Sequence, residues 1–149
     1  MRRALACLAA LLAGCGSDSD DPTSPSGRAP ARGRYAYTLS SQLGGTVGIY
    51  RDAGTITLTQ ANADSISGSI RSDGANFGPG RTPNTTALRP IGWDEDAYVV
   101  VALMPFGNYN LRLAPGEGQN LTCGGRHLVN RSGTVESYPV TCTATYVGP

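Results

Sequence analysis

His127 is the only histidine in the 149-residue chain, and no lysine occurs. A Ser-His-Asp or Cys-His arrangement within one chain would have to use that imidazole. It follows Gly124-Gly125-Arg126, which reads as an exposed loop, where a lone histidine is a solvated side chain. No two-histidine metal motif can be built. The absence of lysine removes Schiff-base and P-loop lysine chemistry. Trp93-Asp94-Glu95-Asp96 sets three carboxylates beside the sole tryptophan. Glycoside hydrolysis or Ca²⁺ binding would need such groups, but converging across a cleft. Consecutive carboxylates read better as a charged turn. The sequence therefore offers no matched nucleophile, base and acid, and the reading is a non-enzymatic protein with no cofactor and no metal.

The elements that would position any site begin after an export signal. Met1-Arg2-Arg3 is a basic start, and Ala4–Ala13 is an apolar run. That run is half the roughly 20 residues that span a bilayer, so residues 1–14 read as a signal peptide. It ends in Leu12-Ala13-Gly14-Cys15, which resembles the lipobox of bacterial lipoproteins. The resemblance implies cleavage after Gly14, acylation of Cys15 and attachment to a membrane through those acyl chains. About two chains suffice for stable anchoring. Residue Gly16 follows, where Asp would favour inner-membrane retention. The implied location is the cell envelope, at the outer membrane and facing the periplasm or the cell surface.

Residues 15–33 then read as the lipidated cysteine and a disordered tether. Gly16–Gly33 contains Ser, Asp, Pro, Gly and Arg but nothing aliphatic larger than Ala, too little to bury for folding. Asp18, Asp20 and Asp21 lack the glycine and terminal glutamate of an EF-hand loop. Cys7 leaves with the signal peptide. Cys123 and Cys142 remain as a pair in an oxidising compartment. Each shares the parity of inward residues, Leu121 for Cys123 and Val140 and Ala144 for Cys142, so a structural disulfide is predicted.

Residues 34–149 are predicted to form an all-β domain. Tyr35, Tyr37 and Leu39 alternate with Ala36 and Thr38. Ile56 and Leu58 alternate with Thr55, Thr57 and Thr59, and Ile66 and Ile70 with serines. Period two is the mark of half-buried strands. Gln60–Asp64 reads as a hairpin loop, and mid-strand Gly68 as a bulge or tight bend. Tyr98–Met104 is apolar on both faces and reads as the most buried strand. Pro105–Asn108 is a turn. The pattern amounts to about eight strands in a small antiparallel up-and-down β-barrel, with a Greek-key β-sandwich as the alternative. Gly54–Gln60 followed by Ile66–Ile70 resembles small lipocalin-like, or calycin-like, domains of bacterial lipoproteins. That resemblance implies a barrel able to enclose an apolar ligand.

From Arg34 onward, 8 Arg face 8 acids, so no basic stripe for nucleic acid is visible and no nucleic-acid partner is expected. Ser72–Asp96 reads as a long irregular segment holding Phe77 and Trp93. It is the first place to look for a ligand mouth or partner surface. The leading functional expectation is a membrane-anchored, non-enzymatic binding module for a small apolar ligand. The alternative is a filled barrel that binds an envelope protein, as an inhibitor or an assembly partner.

Overall fold

The computed structural model describes residues 29–43, 48–62, 65–74, 83–105 and 107–149. Eight strands follow one another: β1 Gly33–Leu43, β2 Gly48–Ala61, β3 Ile66–Ser72, β4 Asn84–Asp94, β5 Ala97–Met104, β6 Gly107–Pro115, β7 Leu121–Arg131 and β8 Thr134–Gly148. Each pairs antiparallel with its neighbour in sequence, and β8 closes onto β1, so the sheet is a closed up-and-down barrel. No connection crosses over, which excludes the Greek-key arrangement.

Alternation puts the apolar side chains inside. Tyr35, Ile56, Ile66, Ile70, Val100, Tyr109, Leu111 and Leu113 are fully buried. The outward positions of β1, β2 and β8 carry Thr38, Thr55, Thr57, Thr141 and Thr143, with the Thr38 and Thr143 hydroxyls 2.7 Å apart. A membrane-spanning barrel has the reverse pattern, an apolar outer band around a polar lumen. No helix among the described residues is long and apolar enough to cross a membrane.

The barrel has two ends. The lower one carries Gly33, Gly148 and the turns at Asn62–Ser65, Glu95–Asp96 and Gly116–Asn120; the upper one carries the Ser132–Gly133 hairpin. Ser132 and Gly133 both have positive φ, 51° and 86°, as a two-residue type I′ turn requires. Asn62 secures the β2–β3 hairpin through its side chain, which accepts from Ser65 N–H at 2.8 Å.

Four expectations need correction. Within Ser72–Asp96 most of the described residues are strand, because β4 occupies Asn84–Asp94. Its alternation is faint since Leu88 is its only fully buried large side chain, and the register shifts between Pro90 and Gly92, where proline has no N–H to give the ladder. β5 does have the largest share of buried residues of any strand, but on one face: Tyr98, Val100, Ala102 and Met104 point inward, while Leu103 is 44% exposed. A closed barrel has no second layer to cover an outer valine or leucine. Gly124–His127 lies inside β7 rather than in a loop. The region read as tether is also structured at its end. Pro30 is buried, and the Tyr35 hydroxyl donates to the Ala31 carbonyl, so residues 29–32 pack on the lower end of the barrel. Residues 1–28, with Cys15, lie outside the described residues.

The bulge anticipated at Gly68 falls on the opposite strand, where the β2 register shifts between Leu58 and Gln60. Gly68 is needed for close approach: a Cβ there would sit 1.8 Å from the Thr57 carbonyl oxygen.

Candidate functional site

The upper half of the barrel interior holds the buried polar side chains. Ser41, Asp52, Ser72 and His127 are each at most 2% exposed. All four follow from strand parity. Ser41 continues the inward row of Tyr35, Tyr37 and Leu39; Asp52 continues that of Ile56 and Leu58; Ser72 that of Ile66 and Ile70; and His127 that of Leu121 and Cys123.

Asp52 is the centre of this cluster. Its Oδ2 accepts from the Tyr37 hydroxyl at 2.7 Å and the Tyr109 hydroxyl at 2.9 Å. Its Oδ1 accepts from the Ser72 hydroxyl at 2.5 Å and from the Ala53 N–H at 2.9 Å. A buried carboxylate is tolerated when its lone pairs are filled in this way. The donors arrive from β1, β2, β3 and β6, so one side chain links four strands. Burial pushes the Tyr37 phenol far up from its usual range, and the Asp52 charge pushes it further. Burial does the same to Tyr109, followed by Tyr50 and Asp52. Both phenols remain protonated donors.

Tyr50 extends the chain of hydroxyls. Its oxygen lies 2.5 Å from that of Tyr109. Because Tyr109 donates to Asp52, Tyr50 is the donor in this second bond. The His127 ring packs against both phenols, with centroids 4.5 Å from Tyr50 and 5.2 Å from Tyr109. Its Nδ1 is 3.1 Å from the Ser41 hydroxyl. A hydroxyl and an imidazole at this distance have the spacing of a nucleophile and its base. Here both are buried, and Asp52 accepts from phenols, a serine hydroxyl and a backbone N–H, which ties β1, β2, β3 and β6 together.

Cys123 and Cys142 are bonded to each other; they are direct cross-strand partners on β7 and β8 with Cα atoms 5.2 Å apart. Both pack against the core from the inner wall, as their parity predicts. Trp93 is half-buried in β4 at the lower end, edge-to-face with Tyr98 at 5.9 Å. It does not join a loop mouth, because Ser72 and Asn84, which bound the segment containing Phe77, lie at the upper end. Phe77 itself is outside the described residues. Asp94 and Glu95 point outward and pair with Arg112 at 3.2 and 3.3 Å, a charged turn braced against β6.

Sequence reasoning missed Asp52, Tyr37, Tyr50, Tyr109 and Ser72 as a group. Asp52 carried a usable signal, since it falls on the inward parity of Ile56 and Leu58. His127 was misplaced because Gly124-Gly125 reads as a turn. Gly125 is instead a packing requirement: its φ is +137°, and a Cβ there would lie 2.0 Å from the Asn110 carbonyl oxygen. Among the described residues no group of three or more His, Cys, Asp or Glu is placed to hold a metal ion. No protein-family model, curated protein or solved structure matches the chain.

Proposed function

We propose that this chain is an envelope lipoprotein, anchored through acyl chains on Cys15, whose barrel is a non-enzymatic module that binds a partner on its outer wall. The observation that carries the second half is the occupied interior. Tyr35, Tyr37, Tyr98, Tyr109, Leu111, Leu113 and Ile70 fill the lumen at no more than 2% exposure each. Small eight-stranded barrels are commonly filled by their own side chains in this way. An apolar ligand would have to displace these rings, and in the upper half it would meet a hydroxyl and carboxylate cluster. Recognition then falls to the outside, where a tethered module can meet other components of the envelope. The anchor rests on the lipobox resemblance of Leu12-Ala13-Gly14-Cys15.

Mass spectrometry of the purified protein, under native and then denaturing conditions, tests the filled-barrel half. Equal masses are expected. A discrete small-molecule increment in the native spectrum alone would return the interior to the role of carrier. Membrane partitioning of Cys15→Ser tests the other half. The variant is expected in the soluble fraction or as uncleaved precursor, and unchanged partitioning would refute the anchor.

A further inference from the structure

The arginines of the barrel divide into two sets. On β6 to β8 they are engaged: Arg112 with Asp94 and Glu95, Arg131 with Glu136 at 3.5 Å, and Arg126 with the Ser137 hydroxyl at 2.5 Å. On β1 to β4 they are not. Arg34, Arg51, Arg71 and Arg89 are all exposed and make no side-chain hydrogen bond or ion pair among the described residues. The acids are distributed in the opposite way. Glu95, Asp96, Glu117 and Glu136 belong to the other half of the barrel or its lower turns, Asp52 is inside, and among described residues the arginine face carries only Asp73 at its upper rim and Asp94 at the lower end of β4, where Arg112 already pairs with it. A chain with nearly balanced charge thus folds into a barrel with one electropositive wall.

The free arginines on β2, β3 and β4 also fall on a line. Arg71 pairs with Thr55, four residues along β2 from Arg51. Arg89 follows Leu88, the partner of Gly68, and so sits four residues below Arg71 in the register. Each step is one strand across and four residues down, about 14 Å between Cα atoms at ordinary strand spacing. Arg51 and Arg89 are two such steps apart, a span suited to a polymer with repeated negative charge. The outward residues between them are Ala53, Thr55, Thr57, Ser67, Ser69, Thr85 and Ala87. Hydroxyls at this density match the hydroxyls of a sugar chain. This stretch presents no aromatic side chain for base stacking, and no apolar cluster of the kind a protein interface buries at its centre. Beside Arg51 an open groove of about 290 Å³ runs over Thr38, Ser40, Ala53, Thr141 and Thr143.

We propose that the outer wall of β1 to β4 binds an extended anionic polysaccharide, with Arg51, Arg71 and Arg89 meeting successive carboxylate, phosphate or sulfate groups and the threonine and serine hydroxyls meeting the sugars. The proposal rests on the reading that this barrel binds on its outside. Contacts of this kind are exposed, so affinity is modest and falls steeply with salt.

Affinity electrophoresis of the full chain in neutral detergent provides the test. Gels contain polygalacturonate, dextran sulfate or uncharged dextran. Retardation is expected with both polyanions and not with dextran. Arg51→Ser/Arg71→Ser/Arg89→Ser should weaken it by roughly tenfold, while the triple lysine replacement keeps most of it. Arg112→Ser/Arg131→Ser should leave it unchanged, since those guanidiniums are already paired. Melting temperatures of each variant separate loss of binding from loss of fold. Equal retardation of the wild type and the triple serine variant overturns the proposal, as does no retardation by either polyanion. Stronger displacement from polygalacturonate by phosphatidylglycerol-doped micelles than by free polygalacturonate would also overturn it, by assigning the wall to lipid headgroups. The reading of an outward-facing module fails separately, by a bound small molecule in the native mass spectrum.

Discussion

Tyr109 on β6 donates its hydroxyl to Asp52 Oδ2 on β2 at 2.9 Å. The two strands stand on opposite sides of an eight-strand ring, so this bond is a strut across the lumen. Truncating either end leaves a polar group without water to replace the lost partner. Tyr109→Phe should cost about 1–3 kcal/mol. Asp52→Asn should cost about 2–4 kcal/mol, because an amide N–H then faces hydroxyls that are themselves donors. Urea midpoints with unchanged slope measure both. A midpoint shift near zero for Asp52→Asn would show that the cluster adds no stability.

Alkaline pH should unfold the protein. Burial and the Asp52 charge raise the folded-state pKa of Tyr37, and burial, Tyr50 and Asp52 raise that of Tyr109. A phenol in the unfolded chain ionises near pH 10. The stabilisation from this difference is complete below pH 10 and is lost as pH rises above it, because only the unfolded state releases its protons. Tyrosinate absorbance should show the two buried phenols ionising together with the loss of circular dichroism. Smooth titration of every tyrosine on an intact barrel would contradict this.

The Cys123–Cys142 bond closes a loop of 19 residues in sequence separation. In the chain-entropy treatment such a crosslink contributes about 3 kcal/mol. The double serine variant should therefore lose that much in equilibrium unfolding, and reduction of the wild type should match it.

Neighbouring glycines should respond differently to alanine. Gly125 has φ +137°, and its new Cβ would lie 2.0 Å from the Asn110 carbonyl oxygen, whereas the nearest atom to a Cβ at Gly124 is 3.6 Å away. Gly125→Ala should cost roughly 3 kcal/mol or prevent folding, and Gly124→Ala about 1 kcal/mol at most. Thermal melts of the two purified variants decide it.

How much of this the sequence disclosed depended on how evenly each strand was spaced. Tyr35–Leu39 and Thr55–Thr59 alternate cleanly between large apolar and small polar residues, so their strands and faces could be read directly. β4 has one fully buried large side chain, a proline and a glycine, and local signals pointed to a loop until β3 and β5 supplied the partners on either side. The disulfide was legible because both cysteines kept the parity of their strands. The Asp52 cluster was not, because its members come from strands far apart in sequence. A lone aspartate beside Ile56 and Leu58 looks like a break in the pattern. Only closure of the sheet brings Tyr109 within reach. The segregation of free arginines was hidden for the same reason: charge balance is a sum over the chain, and a wall is a property of the ring.

Closure of β8 onto β1 joins residues far apart along the chain, as the Thr38–Thr143 hydroxyl contact across 105 positions shows. Such a seam is a late and entropically expensive event in folding. Every other ladder can zip as a local hairpin, but this one must wait until the eighth strand has been synthesised. A nascent chain interrupted before Val140 would be a curled sheet with two raw edges, each a template for another molecule. Pairing of β8 with β1 therefore removes both edges of the sheet in a single step.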